Sequence, residues 1–205
     1  IQNYTAHRQV GLGRMLRERM PAIAGPYLDW LAGTAIPNAR RLLDAFRSAG
    51  REVVYTRHGA LLPDGRDMIA RRRRRDADAL QGSGAPAMWS VGSFEHAIVD
   101  ALAPRPGELV IDKNSSSAFN GTAIDQLLRN MQIETLIVAG IATDMCVETT
   151  SRDAADRGYN VVVVEDATAT FLAAHHRAAL SALARVYTQV WRTERVLAAL
   201  RQEAH

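Results

Sequence analysis

The chain has a single lysine, Lys113, among 25 lysines and arginines, and a single cysteine, Cys146. Lys113 directly follows the apolar run Glu108-Leu109-Val110-Ile111-Asp112, and Cys146 comes just beyond the run Thr135-Leu136-Ile137-Val138-Ala139-Gly140. A sequence that otherwise meets its need for positive charge with arginine, yet keeps one lysine at a strand end, points to a compact ammonium there. The planar guanidinium fork is not its equivalent. A thiol placed where a parallel strand turns into a helix sits at a helix N-terminus, whose dipole favours thiolate. Each residue also has an ordinary explanation: compositional bias towards Arg, and burial of Cys as a small hydrophobe. Their placement after two different strands joins them, because open α/β sheets bind ligands outside the carboxyl ends of their strands.

The elements that would position this pair are legible along the chain. Arg51-Glu52-Val53-Val54-Tyr55-Thr56 reads as a buried strand, preceded by a helix over about 37–48 that ends at Gly50, a residue suited to a left-handed C-cap. A loop is expected at Gly82-Ser83-Gly84-Ala85-Pro86 and a helix over about 94–102, stopped by Pro104 and Pro106. After the strand ending at Asp112 come a serine-rich loop, a helix over about 123–131 and the strand 135–139. Helix 146–157, the strand Val161-Val162-Val163-Val164, helix 173–185, strand 186–191 and a terminal helix from Glu194 complete the pattern. Continuous rather than alternating apolar strands, separated by helices, indicate a parallel sheet covered on both faces. The fold class is a three-layer α/β/α sandwich with a central, mainly parallel sheet, in one domain spanning residues 1–205. Five strands are counted, and the first is preceded by a helix, so a leading strand is expected before Ile1.

Composition narrows the function. Nearly half the chain (47%) is hydrophobic, enough for one well-filled core, and the net charge is only +3. One cysteine excludes an internal disulfide framework and a multi-thiolate zinc site, and no apolar stretch would cross a bilayer. A cytoplasmic location without membrane contact is expected. The N-terminus has no signal-peptide pattern and no starting Met, so the chain is expected to begin inside a longer natural sequence. Arg71 to Arg75 form an unbroken basic run without the aromatic platforms of a nucleic-acid module, which reads as a solvated helix face or a subunit contact and not as a nucleic-acid site.

Other chemistries find less support. Gly11-Leu12-Gly13 lacks the third glycine of a dinucleotide fingerprint and follows no strand, and Lys113 has no glycine loop before it. His58 could reach the crevice, but no second histidine accompanies it, so no metal is expected. His175 and His176 fit cap or interface positions, and His96 could line a pocket or sit on a surface helix. Ser115, Ser116 and Ser117 lack a GxSxG elbow and read as a loop supporting Lys113.

The segment Gly140-Ile141-Ala142-Thr143-Asp144-Met145-Cys146-Val147-Glu148-Thr149-Thr150 resembles the cysteine hydrolases of the isochorismatase-like superfamily, which include nicotinamidases, N-carbamoylsarcosine amidohydrolases and ureide amidases. Lys113-Asn114-Ser115-Ser116-Ser117-Ala118-Phe119-Asn120-Gly121-Thr122 is similar to that family's lysine loop, and the stretch from Ser151 through the valine strand to Glu165-Asp166-Ala167 to its next helix and strand. The family pattern begins with a strand ending in Asp-x-Gln, in which Ile1-Gln2 would supply the last two positions and the general-base Asp would stand immediately before Ile1.

This resemblance implies acyl transfer to Cys146, with Lys113 beside the sulfur. Backbone N–H groups of Ala142 and Cys146 would form the oxyanion hole, the first aimed by a non-proline cis bond after Ile141. Gln2, Ile141, Phe119, Trp89 and His96 are the implied supporting or substrate-binding residues. No cofactor and no metal are implied. The partners are a small-molecule amide substrate and further copies of the chain in a homodimer or homotetramer. Cys146 argues against the branch that cleaves vinyl ethers, and residues 56–62 lack the Asp and His metal ligands of nicotinamidases, so a ureide, carbamoyl or simple amide is the expected substrate. The vinyl-ether reaction, a redox-sensing thiol and a non-catalytic subunit of the same fold stay open as alternatives.

Overall fold

A computed structural model describes residues 1–83 and 89–202. The chain opens with two short helices, α1 (Asn3–Ala6) and α2 (Gly11–Arg19). α3 (Pro21–Trp30) then passes through a π turn at Leu31–Ala35 into α4 (Ile36–Ser48). Pro21 occupies the first turn, where its missing N–H is not needed. Pro37 cannot bond the carbonyl one turn back, and the helix widens just before it. Gly50, at φ +64°, ends this long helical stretch in the left-handed conformation that its sequence position predicts.

β1 (Val54–His58), α5 (Ala70–Ser83), β2 (Leu109–Lys113), α6 (Ile124–Asn130) and β3 (Thr135–Ile141) follow. The chain ends with α7 (Glu148–Asp156), β4 (Asn160–Ala169), α8 (Ala173–Val186), β5 (Gln189–Trp191) and α9 (Thr193–Gln202). Every named strand pairing is parallel. β4 lies between β3 and β5, and its valines serve both faces. Val161 and Val163 pack with Leu128, Ala154 and Leu183 below the sheet, while Val162 and Val164 meet Ala39, Leu42, Val196 and Leu197 above it. Each fully buried valine contributes roughly 1.5–3 kcal/mol, which is why the run is continuous and not alternating. The sandwich architecture read from the sequence is thus present.

The structure differs from the sequence reading in several places: α1, α2 and α3 were not foreseen, and the strand expected over 186–191 begins only at Gln189, because Val186 still belongs to α8. The helix expected over 94–102 is a series of turns with one 3-10 turn at Asp100–Leu102. The carbonyls of Glu95 and Ala97 accept from the N–H groups of Tyr4 and Asn3, and Ile98 bridges Gln2, so this backbone is engaged by the N-terminal segment. Helix α5 runs on through Gly82 and Ser83, where a loop was expected; the remainder of that loop, 84–86, lies outside the described residues.

The sheet is divided. β1 pairs with β2, and β3 with β4 and β5, but no ladder joins β1 to β3 among the described residues. Between them lies a cavity of about 830 Å³ lined by Val54, Tyr55 and Thr56 on one side and Leu136, Ile137 and Val138 on the other, with Ile1 at its border. Helix α4 spans the two halves. Arg47 makes a paired contact with Glu108 (2.7 and 2.8 Å) and reaches the Tyr55 hydroxyl (3.0 Å), while Asn38 Nδ2 donates to the Asp166 carbonyl of β4 (3.0 Å). At the same residue, the Asp166 carboxylate accepts from both N–H and Oγ1 of Thr193 (2.8 Å each), capping α9.

Candidate active site

Lys113 ends β2, and Cys146 lies in a π turn, Thr143–Val147, that carries the chain from β3 into α7. The two halves of the sheet therefore bring together the residues that occur once. Lys113 Nζ donates to the Ser115 carbonyl (2.8 Å) and the Ser116 carbonyl (2.7 Å) and lies 3.4 Å from Cys146 Sγ. The serine loop thus works through its backbone: two carbonyl dipoles fix the ammonium and leave its third proton for the sulfur. Lys113 is only 3% exposed, and this burial lowers its pKa, with Cys146 opposing the shift.

The Ile141–Ala142 peptide is cis, and the Ala142 carbonyl accepts from Met145 N–H (3.1 Å) and Val147 N–H (3.2 Å). Thr149 Oγ1 donates to the Met145 carbonyl (2.7 Å) in the same turn. Asp144 and Thr143, the first residues of the turn, are held by Thr170 and by His176 Nδ1 (2.9 Å) respectively, and His175 stands 3.5 Å from Asp144. The histidine pair thus braces the cysteine turn from α8.

Gln2 links the N-terminal segment to the crevice. Its amide Nε2 donates to the carbonyls of His58 (3.0 Å) and His96 (2.8 Å), and its Oε1 accepts from His58 N–H (2.8 Å). Trp89 donates its indole N–H to the His58 carbonyl and stacks on Tyr4 with ring centroids 3.3 Å apart. His58 is buried, and that burial, with the nearby Lys113 charge, drives its pKa down to about 3, so the ring is neutral beside the lysine. His96 is packed inside, 1% exposed, with Nε2 3.5 Å from Asp112 and its ring where a Cβ on Gly59 would stand. Asp112 is itself held by Arg57 in a two-point contact of 2.7 and 2.9 Å. Phe119 is buried in the core and borders both the slot and a second cavity of about 640 Å³ beside the lysine loop. Among the described residues, no group of three His, Cys, Asp or Glu side chains could hold a metal ion, and no helix is long and apolar enough to cross a membrane.

Residues 27–195 match the isochorismatase domain. The chain belongs to the isochorismatase family. It is 35% identical over 156 residues to the ureidoacrylate amidohydrolase RutB of Agrobacterium fabrum, covering 71% of this chain and 66% of that protein. Against the protein of the same name from Rhizobium rhizogenes it is 36% identical over 156 residues, covering 71% of this chain and 61% of that one. The match thus spans about two thirds or less of these relatives. Among solved structures, a cysteine hydrolase from Pseudomonas syringae pv. phaseolicola superposes with a TM-score of 0.73 at 29% identity, covering 82% of this chain and 80% of that one. N-carbamoylsarcosine amidase from Thermoplasma acidophilum gives 0.60 at 30% identity, covering 78% and 82%.

Sequence reasoning missed Tyr4, which stacks on Trp89, and Arg72, which lines the cavity beside the lysine loop. Tyr4 carried no motif. Arg72 was one of five equal arginines, and helical spacing alone did not say which would turn towards the crevice.

Proposed function

We propose that this chain is a cysteine hydrolase that cleaves the C–N bond of a small amide, carbamoyl or ureide substrate through a thioester on Cys146. The observation that carries this reading is the 3.4 Å contact between the only ammonium side chain and the only thiol, at the ends of two parallel strands. The names of the amidohydrolase relatives support the same bond type. In the proposed reaction the sulfur attacks the carbonyl carbon, and the oxyanion is held by the N–H groups of Ala142 and Cys146. Collapse expels ammonia or an amine, and water then releases the acid and restores the thiol.

The thiol proton needs an acceptor, which we place in a carboxylate immediately before Ile1. Two observations support the position. Ile1 is held beside β1 and β2, its carbonyl accepting from Val99 N–H (3.2 Å), and it borders the slot between β1 and β3. The slot between β1 and β3 also offers two facing strand edges to a preceding segment. Lys113 would orient that carboxylate as well as the sulfur.

The test is ammonia release from a panel of primary amides, ureas and carbamoyl amines, followed by acid quench and mass analysis of the peptide carrying Cys146. An acyl adduct on that peptide, and loss of turnover on the order of 10³-fold or more in Cys146→Ala, are expected. Turnover that persists in Cys146→Ala would remove covalent catalysis.

A further inference from the structure

Of the five arginines from Arg71 to Arg75, Arg72 alone is not exposed. Its position on the first turn of α5 directs it to the cavity of about 640 Å³ whose lining includes His58, Asn114, Ser115 and Ser116. Ser115 and Ser116 are the residues whose carbonyls hold the Lys113 ammonium, so this cavity adjoins the catalytic pair. Burial is the main reason that Lys113 and His58 bind protons weakly, and the Arg72 charge adds to the effect on both.

The other cations of the cavity wall are already occupied. Arg152 is paired with Glu148 at 2.7 Å and lies over the Tyr187 ring, and Arg157 stands 3.8 Å from Asp153 and 3.9 Å from Asp125. Asn114 donates its amide to the carbonyl and carboxylate of Asp67. Arg72 makes no side-chain hydrogen bond and no ion pair with any described residue. Arg72 is thus a half-buried guanidinium that lines a cavity with a neutral histidine and has no ion pair among the described residues. One guanidinium presents two parallel donors, which match a planar monoanion.

Resting on the amide-hydrolase reading, we infer that Arg72 grips a carboxylate on the substrate, so that this site takes anionic amides or ureides and holds their acid group in the cavity beside the lysine loop. Arg72 is a specificity residue in this scheme and touches none of the reacting atoms.

The experiment needs no turnover, because the full chain has one cysteine and labelling reads this site alone. Cys146 is alkylated with iodoacetate, an anion, and with neutral iodoacetamide, and the ratio of the two rates is compared among variants. The neutral reagent cancels any change in the sulfur itself. Arg72→Met is expected to lower the iodoacetate-to-iodoacetamide ratio at least fivefold, whereas Arg72→Lys keeps at least half of the preference. Arg74→Met, exposed on the same helix, should leave the ratio within twofold of the native value. A ratio unmoved by Arg72→Met, or lowered as much by Arg74→Met, overturns the inference. Either result leaves the hydrolase reading standing, since that falls only with the amide panel. With turnover in hand, ω-ureido acids and the corresponding ω-ureido alcohols give a second arm: KM for the acids should rise more than KM for the alcohols in Arg72→Met, and equal rises would also overturn it.

Discussion

The two halves of the sheet are built to different standards. In the half formed by β3, β4 and β5, the central strand is buried on both faces and every neighbouring helix packs on it. The half formed by β1 and β2 has two strands, and all but their last residues, His58 and Lys113, are only partly buried. Cys146 stands on the first half and Lys113 ends the second. The chemical pair therefore depends on what joins the halves: among the described residues they share apolar clusters, Val54 and Ile111 with Val161 and Val163, and Tyr55 with Val162, and α4 bonds both, Arg47 to Glu108 and Asn38 to the Asp166 carbonyl.

The largest effect should come from breaking the pair itself. Lys113→Arg keeps the charge but not the compact head group, and with Lys113→Met it should lower kcat/KM on the best amide by about 100-fold or more. Iodoacetamide should also label Cys146 more slowly in Lys113→Met. Native labelling rates in that variant would detach the lysine from the sulfur's chemistry.

The joint can be cut without touching the pair. The Arg47 and Glu108 side chains are only 6% and 13% exposed, and the guanidinium holds the Glu108 carboxyl well below the usual carboxylate range. Glu108→Ala leaves a buried guanidinium unmatched and should cost about 3 kcal/mol in urea denaturation. A stability loss confined to a few tenths would mean that the two halves are held together by other contacts.

Protonation offers a graded version of the same cut. His58 in the folded chain has a pKa of about 3, against 6.5 in the ordinary state, so the unfolded chain takes up the proton first as pH falls. The stabilisation is complete above about pH 6.5 and is lost progressively down to about pH 3. His58→Gln should flatten the fall of the urea midpoint between these values; an unchanged profile would assign the acid sensitivity to the carboxylates. The smallest effect belongs to the solvated side of α5. Replacing Arg71, Arg73 and Arg74 together with Gln should change amide turnover less than about twofold, a result that would separate them from Arg72.

Sequence legibility follows the same division. The strands 161–164 and 135–139 were readable because burial on both faces demands unbroken apolar runs, and Lys113 and Cys146 because each is unique. The turns at 94–98 were misread as a helix because their carbonyls are satisfied by Asn3 and Tyr4, far away in sequence, and no local pattern announces that. Helix α3 passed unnoticed although Ala24, Leu28, Leu31 and Ala35 follow helical spacing, since the proline inside it, Pro26, argues locally for a break. Arg72 was hidden for a different reason: its role depends on what its neighbours Arg152 and Arg157 are already bonded to.

The Asp166 cap on α9 bears on how the chain opens. A C-terminal helix ordinarily frays independently, but here its first residue is bonded by two groups to the central strand, and Val196 and Leu197 pack on Val162 and Val164. The amide protons of α9 should therefore exchange with solvent on the schedule of β4, so that the last helix of the chain is among the last parts to open.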